Sequence, residues 1–562
     1  MCLYGKESLV PQIAQALINS GVNQADRNQL PQSFQFYDNA LKMYVKMYGP
    51  EAHIDISLVY RNMAAHYIKL GQYTRAQNLY KMSFGIYQKV HGTRDNPDTA
   101  HLLRSIGWVC QQNTDYKLAK HYFMKSLGIL RRLYGRASED KCTCNSPTPT
   151  WIDIEGDWNG TDENHGAEEE WEWRYLLTVT CRCYNNVDHE DIAGILLDLG
   201  FNSYLARTDH INLYYRYTAQ SESEKLLKDA GSMFKRLGIL SKVAHTLRNR
   251  GINLSEMENF SEANSCFFHS LVLYHDIYGS NVNSIHVAMV LKDMGINFLA
   301  QHEVHCAQLY LKKGLYMYES LDLGRNVAER ATCQLYLGKI FDLQQKCTEA
   351  EIVYRNLLQV AYSLNGGECA KHVDIAGMLY FLGRNLHYQM RYDEAGVLLE
   401  EALEMYEEVF GKFDKDNVNL LHIIGKNLLE QQRYEEANKY LYKTLEEMRK
   451  IYGNSENEKY AELSKDIGIN HYHRQRFTAA EHWLKRCCLE QYEYLLPPPY
   501  NGEKRLEDMA SALYGLFLLY RDTKDNFQAN ENAKKALDIY KQINPRNRNV
   551  PALVAFMDRV EI

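Results

Sequence analysis

The stretch HVDIAGMLYFLGRNLHYQMRYDEAGVLLEEALEMYEEVFG (372–411) and the stretch NVNLLHIIGKNLLEQQRYEEANKYLYKTLEEMRKIYG (417–453) share one plan. Each opens with an apolar-periodic segment centred on a glycine, Gly383 or Gly425. A polar turn follows, then a second periodic segment with an early alanine, and an aromatic-Gly stop. Apolar residues fall three and four apart, which is the period of a helix with one buried face. The plan predicts two antiparallel helices per unit.

The same plan extends along the chain. The central glycine recurs as Gly21, Gly107, Gly200, Gly251, Gly295, Gly338, Gly383, Gly425, Gly468 and Gly515, with Ala64 in its place once. Most steps are 42 to 45 residues. The step from Gly107 to Gly200 is 93 residues, which calls for an insertion; the step from Gly200 to Gly251 is 51, with RTDHINLYYRY (207–217) read as extra turn sequence. A small residue follows twelve positions after the centre (Ala76, Ala119, Ala263, Ala307, Ala350, Ala395, Ala437, Ala480), and often another seven later (Ser83, Ser126, Ser270, Ala402). A helical glycine costs roughly 1 kcal/mol relative to alanine. Its repeated use therefore predicts two helices that cross too closely for a side chain. The terminal glycines after Tyr48, Tyr134, Tyr278, Phe410 and Tyr452 supply a C′ residue able to adopt positive φ.

The order Leu382-Gly383, Leu386, Ala395, Leu399, Ala402 resembles the tetratricopeptide repeat. The likeness covers about 11 units between residues 11 and 544. The period near 42 is similar to the subclass found in kinesin light chain and nephrocystin-type proteins, and in the tails of some signalling ATPases. The resemblance implies an all-α, right-handed solenoid of about 11 helix pairs, since each pair needs neighbours to bury its apolar face. The expected layout is N-terminal units over 1–135, an insertion over 136–187, a continuing array over 188–544 and a tail over 545–562. MCLYGKES at the start matches MRKIYGNS (448–455), so the array is expected to begin inside a repeat.

In such arrays the first helix of each pair lines a concave groove. Positions −3, +1 and +4 from the central residue share one stripe of that helix. They give Arg61, Arg104, Arg248, Lys292, Lys339, Arg384, Lys426 and Lys465, each from a different repeat. Trp108, Tyr380, His387, His422 and Tyr472 are interspersed. The stripe reads either as an ordinary solvated face or as a basic, aromatic-studded track for an acidic or extended peptide. No nucleic-acid partner is expected of a chain with net charge −7.

Residues 136–187 break the helical period. They hold 11 acidic and 4 basic residues, and four of the chain's six Trp lie between 151 and 173. YLLTVTCRCY (175–184) alternates in the manner of a strand, so a β-hairpin is expected. Cys142, Cys144, Cys181 and Cys183 form two CxC pairs that in paired strands would place four thiolates near one another, the chemistry of a zinc site. Free thiols are the blander reading of the same four. EEEWEWRY (168–175) has the acid-flanked Trp that kinesin light chain grooves accept, so the resemblance implies an intramolecular plug through Trp171 and Trp173. Packing of both rings within the hairpin is the plainer alternative.

No P-loop, HExxH, GxSxG or kinase signature occurs. NGT (159–161) matches a glycosylation sequon, but the N-terminus shows no secretory signal. No run of 18 apolar residues occurs. The expectation is a cytoplasmic, cofactor-free, non-catalytic interaction scaffold. A cargo adaptor similar to kinesin light chain, or the sensor tail of a signalling ATPase, are the alternatives that the resemblance implies.

Overall fold

The computed structural model describes residues 10–27, 29–49, 53–92, 95–134, 188–206, 213–279, 282–321, 326–365, 372–410, 415–452, 458–485, 489, 502–545 and 547–560. The expected hairpin, the four paired cysteines and the half-repeat at the start lie outside the described residues. The chain divides into two compact units, residues 1–297 and 298–562.

In the first unit the helices are α1 (Val10–Asp26), α2 (Leu30–Tyr48), α3 (Ile54–Lys69), α4 (Tyr73–His91), α5 (Pro97–Gln112), α6 (Tyr116–Tyr134), α7 (Glu190–Ala206), α8 (Leu213–Arg236), α9 (Leu240–Glu256), α10 (Phe260–Tyr278) and α11 (Ile285–Ala300). In the second they are α12 (Val304–Leu321), α13 (Val327–Leu343), α14 (Cys347–Asn365), α15 (Val373–Tyr388), α16 (Tyr392–Phe410), α17 (Lys415–Glu430), α18 (Tyr434–Tyr452), α19 (Glu458–His473), α20 (Phe477–Leu484), α21 (Gly502–Asp522), α22 (Asn526–Ile543) and α23 (Val550–Val560). No strand occurs among the described residues. Odd-numbered helices through α21 are first helices of pairs and even-numbered ones are second helices. Each unit is an all-α stack of helix pairs, and in the second α23 lies within what was expected to be a tail.

The central glycines do what their recurrence predicted. A Cβ on Gly251 would lie 2.6 Å from the ring of Phe267, and one on Gly425 would lie 2.7 Å from Leu441. In both cases the partner sits sixteen residues later on the second helix, so the glycine is where the pair crosses. The alanines at +12 are fully buried in the same crossing. Serines at +19 add a regular bond: Ser126 Oγ donates to the Ala100 carbonyl (2.6 Å) and Ser270 Oγ to the Ala244 carbonyl (2.7 Å). Apolar packing passes from pair to pair, with one cluster running from Ala64 through Phe123 and Leu227 to Val243.

Two readings are corrected. Gly515 is not the centre of the last repeat, because a Cβ there would meet Leu484 of α20 rather than a residue of its own second helix. Phe517 takes that place: the left-handed turn residue Lys524 follows it by seven, the buried Ala529 by twelve and the buried Ala536 by nineteen. The stretch 207–217 is not all turn, since α8 starts at Leu213 and runs 24 residues.

Starts and stops follow local chemistry. Three first helices open on His-x-Asp: Nδ1 of His53, His189 and His372 accepts the backbone N–H of Asp55, Asp191 and Asp374. The aspartates put negative charge in the first turn, where the helix dipole favours it. After α2, α4 and α10 the chain leaves through Gly49, Gly92 and Gly279, all with positive φ. Between the helices of a pair, a non-glycine residue takes the left-handed conformation seven positions after the centre, as at Thr114, Glu258, His302, Gln345, Met390, Gln432 and Gln475. At Met390 (φ 62°) the turn closes with Arg391 N–H donating to the Leu386 carbonyl. That conformation costs an L-residue roughly 1–2 kcal/mol. Met390 is largely exposed, so Met390→Gly sacrifices little packing. It is expected to stabilise the unit by about 0.5 kcal/mol after the larger unfolded-state entropy of glycine, measured as a higher urea midpoint.

Candidate functional site

The stripe residues lie on first helices, and most are fastened to a carboxylate of a neighbouring first helix. In the first unit Arg104 Nε donates to Asp198 Oδ2 at 2.5 Å, from α5 to α7. Arg248 Nε donates to Asp293 Oδ2 at 2.5 Å, from α9 to α11, and both side chains are close to fully buried. Lys292 approaches the same carboxylate at 3.8 Å. For Arg104 and Arg248 the cation at −3 meets an aspartate at −2 of the next repeat.

The second unit carries two such knots. Around Asp342, Arg384 Nη2 donates at 3.2 Å, Asn385 Nδ2 at 2.6 Å and the Tyr354 hydroxyl at 2.8 Å. Arg384 also lies over the rings of Tyr380 (5.7 Å) and Phe381 (5.3 Å). Lys339 lies over Tyr336 (4.5 Å) and Phe381 (4.6 Å). The knot around Asp466 gathers α17, α19 and α21: His422 Nε2 is 2.8 Å from Asp466, Lys426 is 3.1 Å from Glu462, and Lys465 bonds Asp508. Burial alone would raise the Asp466 carboxyl, but the Lys465 and Lys426 ammoniums and the His422 bond overcome it and hold it at about 2. Burial works against the charge of Lys465, and the surrounding carboxylates hold its pKa well above the usual lysine value.

The aromatic and His positions divide in the same way. Trp108 is 37% exposed on α5, and Arg61 on α3 makes no ion pair among the described residues. Tyr380 is half-buried under Arg384. His387 is buried, its Nδ1 3.1 Å from Asn427 Oδ1, and burial lowers its pKa. The Tyr472 hydroxyl donates to Asp522 at 2.6 Å, and burial with that carboxylate pushes its pKa to about 12. Trp171 and Trp173 lie outside the described residues, as do Cys142, Cys144, Cys181 and Cys183. Among the described residues no group of three or more His, Cys, Asp or Glu side chains is placed to hold a metal ion. None of the described helices is long and apolar enough to cross a membrane.

A second row went unread in the sequence. Asn202, Asn253, Asn297, Asn385, Asn427 and Asn470 all stand two residues after the central glycine and are at most 1% exposed. Their amides reach back to the preceding pair: Asn202 to the Tyr116 carbonyl (3.0 Å), Asn253 to the Gln220 carbonyl (3.2 Å), Asn427 to the Tyr392 carbonyl (2.8 Å). His66 plays this part after Ala64, with Nδ1 2.9 Å from Ser33 Oγ. The recurrent Gly-x-Asn was the available signal. Most buried polar groups are bonded, and the amide donors of this row tie each pair to the one before it.

The family comparison agrees with this geometry. The model of the tetratricopeptide repeat matches residues 55–132 and 374–450, one stretch in each unit. No curated protein matches the chain. Among solved structures it is similar to the apo form of the quorum sensor NprR from B. thuringiensis, with 13% identity, 66% of this chain and 94% of that chain covered, and a TM-score of 0.43. It is also similar to BtubC (BKLC) from P. vanneervenii, with 17% identity, 43% and 93% covered, and a TM-score of 0.35. A third is the APC/C hetero-tetramer Cut9-Hcn1, with 13% identity, 99% of each chain covered and a TM-score of 0.38. With the glycine crossings, the buried alanines and a family match in each unit, the chain carries tetratricopeptide repeats over residues 55–132 and 374–450.

Proposed function

We propose that the chain is a non-catalytic protein-interaction scaffold whose first-helix faces hold a peptide or an extended segment of a partner. The observation that carries this is the recurrence, within each unit, of a basic or aromatic residue on the same face of successive first helices. Within that row, Arg61 and Trp108 are the residues with surface to offer a ligand in the first unit, and Lys339 and Tyr380 in the second. Arg104, Arg248, Lys292, Arg384, Lys426 and Lys465 act behind them, because each is committed to a carboxylate that orients it. A ligand carboxylate competes with those aspartates, so the acidic preference is a matter of exchange rather than of a bare positive track. The repeat period near 42 favours a cargo adaptor similar to kinesin light chain as the more specific version of this reading.

The test is selection of peptides from a displayed random library against the full chain, followed by affinity measurement. Trp108→Ala is expected to weaken the selected peptides by about tenfold or more, the usual scale for a buried aromatic anchor. Deleting residues 140–185 is expected to tighten binding if Trp171 and Trp173 act as a tethered competitor. Unchanged affinity in the deletion removes the plug, and unchanged affinity in Trp108→Ala, Arg61→Glu and Tyr380→Ala together removes the first-helix site.

A further inference from the structure

The second unit has a basic cleft on its second helices, away from the stripe. It encloses about 700 Å³ between α18 and α20, with Tyr442 and Trp483 as floor and Lys439, Lys443, Arg449 and Lys450 around it. Glu446 is the single acid in the lining, so the walls carry a net charge of +3. Two of the cations are committed: Lys443 bonds Glu407 at 2.8 Å, and Lys450 bonds Glu446 and Glu447 at 2.9 and 3.2 Å. Lys439 and Arg449 are exposed and make no ion pair among the described residues.

The floor is held in place from below. The rings of Tyr442 and Trp483 meet edge to face at 6.1 Å and 89°. The Tyr442 hydroxyl lies 3.0 Å from Nε2 of His471, a buried ring on α19. Burial lowers the pKa of His471, helped by Arg474 and Arg476. A rigid aromatic floor costs a ligand little ordering.

We propose that this cleft is a second docking site, for an acidic peptide segment of a partner protein that seats one apolar side chain on Tyr442 and Trp483. Charge selects the partner class, because Lys439 and Arg449 present guanidinium and ammonium donors over an apolar floor. A long polyanion is disfavoured, since the chain as a whole carries −7 and repels it. A short acidic segment feels mainly the local field within a Debye length of about 10 Å.

The experiment is fluorescence anisotropy on the full chain. The probe is a labelled peptide of about twelve residues, glutamate throughout with one central phenylalanine. Wild type is expected to bind, and to weaken as salt rises from about 50 to about 300 mM. Lys439→Glu with Arg449→Glu is expected to weaken binding about tenfold or more; both sites are exposed, so an unchanged thermal transition shows that the variant folds. Lys534→Glu with Lys541→Glu, an exposed pair on α22 that reverses the same amount of charge, is expected to leave the affinity alone. The proposal is overturned by no binding to wild type, by equal binding to the Lys439/Arg449 variant, or by an equal loss in the Lys534/Lys541 variant. Tighter binding of a single-stranded DNA of equal charge, or of phosphatidylserine vesicles, overturns the peptide assignment.

Discussion

Asp466→Ala is expected to cost about 3 kcal/mol, near the lower end for removing one partner from a buried ionic group. Asp466 is 5% exposed and sits among Lys465, Lys426 and His422. Alanine takes away the carboxylate and leaves the Lys426 and Lys465 ammoniums with Glu462 and Asp508 among the described carboxylates. The effect carries a pH signature. The folded carboxyl titrates at about 2 and the unfolded one at 3.8. A depressed pKa contributes stability above the unfolded value, and that contribution is lost as pH falls through the folded value. Wild type is therefore expected to lose about 2 kcal/mol between pH 5 and about 2 from this group. Asp466→Asn removes that step while keeping the shape. Urea unfolding followed at several pH values measures both. A variant as stable as wild type at pH 7 would show that the knot contributes nothing to holding α17, α19 and α21 together.

The second large effect is steric. Gly251→Val is expected to cost about 3 kcal/mol, because its Cβ would lie 2.6 Å from Phe267, a ring 1% exposed in the core. A β-branched side chain has one comfortable rotamer in a helix and cannot turn away. Gly251→Ala is expected to be much milder. The chain already accepts a methyl at the equivalent Ala64, opposite Tyr80, and alanine recovers about 1 kcal/mol of helix propensity. Thermal or urea unfolding of the two variants measures both effects: a Gly251→Val variant as stable as wild type would contradict the close-crossing explanation.

The fold was readable because glycine and alanine spacing reports a helix crossing directly. Gly383, Ala395 and Ala402 are small for the same reason, and their interval survives whatever the surface does. The reading failed at Gly515 because a conspicuous glycine was taken for the position itself. Phe517 holds the position, and Ala529 and Ala536 were the reliable marks. At 207–217 no interval was available to fix where the turn ended.

The stripe was legible as a set of cations but not as a set of ion pairs. Arg248 meets Asp293 across 45 residues, a register that appears only once successive first helices are stacked. Asp198, Asp293 and Asp466 do recur at −2, but among so many surface acids they gave no sign of being buried partners. The asparagine row escaped for the opposite reason: Gly-x-Asn reads as polar turn-side sequence, yet Asn253 and Asn427 are sealed between pairs. The stripe thus has two layers, a buried polar lattice that sets repeat geometry and a thinner, partly exposed edge at Arg61, Trp108, Lys339 and Tyr380.

The most direct test of the first-helix face as the binding surface is site-specific photo-cross-linking in the full chain. A benzophenone side chain replaces Arg61 on α3 in one variant and Phe268, an exposed residue of the second helix α10, in another. With a peptide selected against the whole chain, the account predicts cross-linking from position 61 and none above background from position 268. Cross-linking from 268 with none from 61 contradicts it.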